Sequence, residues 1–255
     1  MKPDLRPAFL ARPIAHRALH DVENGRPENS RAAIRAAIDA GYGIEIDLQL
    51  TQDGQAMVFN DYGLARLTGA EGVIRQRSAA EARAIPLTGG DGEGIPDLGE
   101  VLALVAGQVP LLIEFKDQDG MMGRDVGILE QAAAELIGAY SGDVAVMSFN
   151  PNSVALLAEL LPAVPRGLVT SSYDYADWPL PKPVCDTLRA IPDFERTGSS
   201  FISHEVEDLN RPRVLALKDQ GIPILCWTVT SQMQENEARK VADNITFERY
   251  LAKRT

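Results

Sequence analysis

The sequence predicts an α/β fold: an irregular (β/α)8, TIM-type barrel with a β-hairpin and a small insertion after the second strand. Three observations predict it. Eight apolar, β-like runs occur at roughly 13–16, 43–48, 110–115, 144–149, 165–170, 200–203, 222–229 and 244–247, and most are separated by a helical pattern. A ninth run, 55–59, follows the second after only the turn signal Thr51-Gln52-Asp53-Gly54. So short a connection permits a hairpin but no parallel crossover, so 55–59 is expected to run antiparallel to 43–48 and fold back over its end. The length, 255 residues, is that of a typical barrel domain. The competing doubly wound sheet lacks its Gly-rich dinucleotide turn here.

The elements follow in order. After the run 13–16, Asn29 or Ser30 can cap a helix whose Ile34 and Ile38 share one face and which Gly41 stops. Gly43–Leu50 is the second strand. The Gly-rich, charged stretch 61–96 is expected to hold loops and short helices, as a small insertion within a single barrel domain spanning 1–255. Helices are expected at 97–106, 124–139, 151–161, 209–219 and 231–242. The segment 171–198 reads as irregular, because four prolines fall between Pro179 and Pro192.

Composition narrows the function. The formal net charge is −11, which repels nucleic-acid backbones and anionic membranes at long range. No nucleic-acid partner is expected. Nor is stable membrane insertion: there is no leader-like apolar segment at the N-terminus and no apolar run near the roughly 20 residues a membrane helix needs. A cytoplasmic location is the expectation. The two cysteines, Cys185 and Cys226, have no metal-type spacing and read as buried thiols.

Charged residues inside the apolar strands carry the chemistry. Glu45 and Asp47 lie two apart, so they share one strand face while Ile44, Ile46 and Leu48 take the other. The apolar face suits the helix layer, which turns both carboxylates into the barrel. Two inward carboxylates repel and lose solvation, and a hard cation such as Mg2+ or Ca2+ relieves both. Glu114 and Lys116 repeat the spacing at the end of the strand 110–115. Glu114 adds a third carboxylate, against the plainer reading of an internal Glu–Lys ion pair. His16-Arg17 closes the first strand, where a barrel gathers its catalytic groups; an imidazole suits acid/base work and a guanidinium suits phosphate. His20 and His204 fall in expected loops.

Taken together, HR at 16–17, PEN at 27–29, GIEIDLQLTQDG at 43–54, VFND at 58–61, LTG at 67–69, IEFK at 113–116, SF at 148–149 and WTV at 227–229 resemble the glycerophosphodiester phosphodiesterase family. The resemblance runs from about residue 12 to 248, and the block from PEN through VFND is its specific part. It implies an irregular (β/α)8 barrel that uses one divalent cation to hydrolyse a small-molecule glycerophosphodiester to glycerol 3-phosphate and an alcohol. It further implies metal carboxylates at Glu45, Asp47 and Glu114, an acid/base histidine at His16, and phosphate ligands at Arg17 and Lys116. Trp227 would line the pocket or pack within the barrel, and Glu28 matches a position at the edge of the site or serves the helix start with Asn29.

The chain departs from the family pattern in three places. Asn60 stands where the family has its second acid/base histidine, which implies impaired activity unless His20 is recruited. Ala18 replaces the usual Gly after His-Arg, and Phe247-Glu248 replaces Thr-Asp after the last strand, where no role is assigned. Two rival readings remain. One is a phospholipase D-like or phosphoinositide-cleaving relative, and the other is a non-catalytic phosphodiester or phosphate binder. The alcohol group, the preferred metal and the oligomeric state are not legible in the sequence.

Overall fold

Alternation along the strands decides which side chains face inward. In the computed structural model, which describes residues 2–253, nine strands form one sheet. They are β1 (Ile14–Ala15), β2 (Gly43–Leu50), β3 (Ala56–Val58), β4 (Leu111–Phe115), β5 (Val144–Ser148), β6 (Arg166–Thr170), β7 (Phe201–Glu205), β8 (Ile224–Val229) and β9 (Asn244–Phe247). All but β3 run parallel. The contact of β1 with both β9 and β2 closes the eight into a barrel.

Ile44, Ile46 and Leu48 of β2, and Leu111, Ile113 and Phe115 of β4, pack outward into a large core shared with the helices. Leu112, Ala145, Met147, Val169, Phe201 and Leu225 fill the barrel interior. Leu5 and Phe9 join that interior cluster from the N-terminal segment, where residues Ala8–Ala11 form one helical turn that the sequence reading missed.

The hairpin forms as expected. Leu48, Gln49 and Leu50 pair antiparallel with Val58, Met57 and Ala56. The physical reason is an open edge. β1 is only two residues long and pairs with Gly43 and Ile44 alone, so the far half of β2 needs another partner on that side. Met57 and Phe59 then bury with Leu64, Leu67 and Ile74 in a separate small cluster built largely from the 61–96 segment.

The first long helix is Arg31–Ala40. Ser30, not Asn29, caps it by accepting from the Ala33 N–H, and Gly41 ends it at φ 71°. Asp97 forms a capping box with Glu100 at the start of Leu98–Val105. Other helices are shorter than their sequence patterns, such as Ile128–Gly138 and Gln232–Ala238. The segment 171–198 is not wholly irregular: it contains the helix Lys182–Arg189. Pro179, Pro181 and Pro183 stand at or before its first turn, where no intrahelical N–H is needed, and Pro192 follows its end. Among the described residues, no helix is long and apolar enough to cross a membrane.

Candidate active site

The register of β2 against β4 sets the site. Asp47 pairs with Glu114 and Glu45 with Leu112, so the three inward carboxylates meet on adjoining strands. All three are buried, and one oxygen from each lies within 4.8 Å of the others. His16, Arg17, Glu45, Asn60, Glu114, Lys116 and Trp227 line a single cavity of about 200 Å3.

The charges around this cluster do not balance locally. Lys116 Nζ lies 2.6 Å from Glu114 Oε1 and 2.7 Å from Asp47 Oδ1. Arg17 Nε lies 3.6 Å from Asp47 Oδ2, but the same guanidinium also pairs with Glu28 at 2.7 Å. Glu45 receives the Arg17 backbone N–H at 2.8 Å, and among the described residues no lysine or arginine side chain pairs with it directly. Burial, then Asp47 and Glu114, push the Glu45 carboxyl well above its ordinary range. Burial also raises Glu114 against the opposing pull of Lys116. Burial acts the same way on Asp47, but Lys116, Arg17 and His16 outweigh it and hold that carboxyl below its usual range.

A hard divalent cation fits this donor set. The donors are carboxylate oxygens, as Mg2+ and Ca2+ prefer, and the group carries more negative charge than its basic neighbours offset. The Asp47 Oδ1–Lys116 contact is close but lacks hydrogen-bond direction, so this buried oxygen has no hydrogen-bond partner. The plainer reading, an internal Glu114–Lys116 ion pair, is also present in the geometry. It accounts for one carboxylate and leaves the elevation of Glu45 unrelieved.

The loop before the first long helix braces the cluster. Asn29, at φ 58°, donates from Nδ2 to Asp47 Oδ2 at 3.0 Å and accepts the Asp47 N–H at 3.3 Å. Glu28 is not at the helix start. It bridges Arg17 to Arg66, which in turn grips Asp61. The hairpin returns as expected: the Phe59 N–H donates to Asp47 O at 2.9 Å, bringing Asn60 to the cavity wall. Trp227 donates its indole N–H to Ser203 O and sits edge-on to Phe149, 5.4 Å between ring centroids.

Sequence reasoning missed Glu248. Its Oε2 lies 2.8 Å from His16 Nδ1 and 3.4 Å from His20 Nε2. A carboxylate on Nδ1 fixes that nitrogen as the donor, which leaves Nε2 with a free lone pair. Burial lowers the His16 pKa from its ordinary 6.5, and the Glu248 hydrogen bond only partly offsets this. His204 was expected in a loop. It lies within β7 on the face of Ile202, fully buried between Thr170 Oγ1 at 2.7 Å and Asp208 Oδ2 at 3.2 Å, away from the cavity. Cys185 and Cys226 are buried free thiols.

A profile of the glycerophosphoryl diester phosphodiesterase family matches residues 16–246. The chain is 28% identical to the Bacillus subtilis protein YhdW over 228 residues, 86% of each chain. It is 33% identical to a glycerophosphodiester phosphodiesterase of Caldanaerobacter subterraneus over 164 residues, 61% of this chain and 65% of that one. Its fold is similar to a phosphodiesterase of Oleispira antarctica solved with its product sn-glycerol-3-phosphate, with a TM-score of 0.76 at 22% identity over 94% of each chain. A match that runs from His16, just after the first strand, through nearly all of the last strand makes this chain a member of the glycerophosphoryl diester phosphodiesterase family of phosphoric diester hydrolases.

Proposed function

We propose that this chain hydrolyses a small glycerophosphodiester to glycerol 3-phosphate and an alcohol, at a rate reduced by Asn60, with one Mg2+ or Ca2+ held by Glu45, Asp47 and Glu114. The observation that carries the reading is the convergence of those three buried carboxylates beside His16. The product bound to the Oleispira antarctica phosphodiesterase is in keeping with it.

A divalent cation in that cluster would supply Lewis-acid stabilisation of the charge that builds on the phosphoryl oxygens. The rest falls to the chain's own residues. His16, its Nδ1–H engaged by Glu248, offers Nε2 as the base for the nucleophile, either a substrate glycerol hydroxyl or water. Arg17 presents a planar fork to the phosphate. Lys116 donates to Glu114 and pairs by charge with Asp47, which leaves donor capacity on its ammonium for a substrate oxygen. Trp227 and Phe149 form an apolar wall for the glycerol or alcohol group.

Asn60 stands where an acid would protonate the leaving alcohol, and an amide has no proton to give at neutral pH. Loss of one acid/base partner lowers the rate by about 10²–10⁴-fold. Restoring the imidazole with Asn60→His, and assaying release of glycerol 3-phosphate with Mg2+ or Ca2+, is expected to recover much of that factor. Equal rates in the two proteins would contradict this account of position 60. No turnover in either, with calorimetric binding of glycerol 3-phosphate, would favour the non-catalytic binder.

A further inference from the structure

We propose that His16, His20 and Glu248 form a second metal site, one that takes a borderline divalent transition ion of the Zn2+ type rather than Mg2+ or Ca2+. His16 Nδ1 and His20 Nε2 lie 2.8 Å and 3.4 Å from the same oxygen, Glu248 Oε2, and the three ligand atoms lie within 4.8 Å of one another. Ligand atoms about 3.3 Å apart are what tetrahedral Zn2+ requires when its bonds are about 2.0–2.1 Å long. Two imidazoles and one carboxylate make a three-residue set that leaves a coordination position for water.

The backbone is shaped to bring the second imidazole in. Arg17 and Ala18 both take left-handed conformations, at φ 52° and 63°, although neither is glycine. The His20 N–H then donates to Ala18 O at 2.9 Å, turning the chain back so that His20 sits beside the end of β1. Orienting His16 needs the carboxylate alone. A second imidazole on the same oxygen is unexplained by that task and is accounted for by a shared ion.

Access suits a ligand set. The three side chains are 15%, 17% and 13% exposed, and His20 and Glu248 line a neighbouring cavity of about 470 Å3 that also contains Asp21 and Glu23. The basic side chains there are engaged: Arg26 pairs with Asp21, and Arg249 takes Glu248 Oε1, leaving Oε2 to the imidazoles. Nitrogen donors select this centre for Zn2+ or Co2+, while the all-oxygen cluster suits the hard cations.

Occupancy has a chemical consequence that rests on the base role of His16 proposed above; the site itself does not. When Nδ1 bonds a metal, the single proton of the neutral ring moves to Nε2. That nitrogen then has no lone pair for the nucleophile's proton, so a Zn2+-type ion inhibits hydrolysis.

The test titrates the Mg2+-saturated protein with Co2+ as a coloured stand-in for Zn2+, reading visible absorption, with no turnover required. One equivalent is expected to bind and to be displaced by Zn2+. His20→Ala, and His20→Gln as a check that the loop keeps its fold, are expected to weaken Co2+ at least about 100-fold, since loss of even an outer partner costs metal sites about 10–100-fold. In parallel, Zn2+ is expected to inhibit the original chain and to spare the His20 variants, each measured against its own rate without Zn2+. No bound Co2+, or equal affinity in the His20 variants, overturns the proposal. His20-dependent binding with no effect on hydrolysis upholds the site and overturns the base role of His16 instead.

Discussion

Glu248 Oε2 and His16 Nδ1 lie 2.8 Å apart although 232 positions separate them in the chain. The last strand thus delivers a carboxylate to the imidazole that ends the first, across the β1–β9 contact that closes the barrel. The hydrogen bond holds one ring nitrogen as donor and aims the other at the cavity.

Glu248→Gln tests this link. The amide can turn either its oxygen or its NH2 to the ring and so loses control of the tautomer, as in the analogous loss of an orienting carboxylate from a Ser-His-Asp triad, where the fall is about 10⁴-fold. A fall in kcat of about 10²-fold or more is expected, with KM little changed. The pH profile carries the sign. A neutral base loses activity as pH falls through its pKa, and His16 already lies below 6.5 through burial. Glu248 raises that pKa, so its removal moves the acidic limb of kcat/KM to still lower pH. A limb that stays in place contradicts the coupling.

Glu45 governs how stability responds to pH and to cation. Its folded-state pKa is raised above the ordinary 4.5, so its protonated form is the favoured one in the fold. That contribution is fully present below pH 4.5 and is lost as pH rises toward the raised value. In metal-free protein at pH 7, Glu45→Gln is therefore expected to raise Tm. Adding Mg2+ or Ca2+ at about 100 times Kd stabilises a one-site protein by about 2.7 kcal/mol, and the same variant is expected to lose most of that gain. Thermal scans with and without cation measure both effects. A variant that keeps the full cation response removes Glu45 from the ligand set.

Asn29 grips Asp47 from both ends of its amide, at 3.0 Å and 3.3 Å. Asn29→Ala leaves one carboxylate oxygen unrestrained and is expected to weaken Mg2+ or Ca2+ by about 10–100-fold, the range for losing a partner that orients a ligand. Calorimetric titration reads this directly. Unchanged affinity means that Asp47 is held by the strand alone.

The parts of the site set by local pattern were legible in the sequence. Alternation in Gly43–Leu50 gave the inward carboxylates, and the four-residue turn gave the hairpin that carries Asn60 back. Glu248 was not legible, because a contact between the two ends of a closed barrel leaves no local spacing to read. The helix Lys182–Arg189 was hidden by prolines that break a helix interior but are tolerated in its first turn. His204 is hidden because the last two residues of β7, His204 and Glu205, are polar and continue no apolar run. Asn29 was weighed as a cap, whereas the chain uses Ser30 for that and turns Asn29 toward Asp47.

Cation placement is tested most directly by a crystal structure of this chain grown with Ca2+. One ion is expected, bonded at about 2.3–2.6 Å to oxygens of Glu45, Asp47 and Glu114 together. A structure with Ca2+ absent from that cluster, the three carboxylates satisfied by Lys116 and Arg17 alone, would contradict the account.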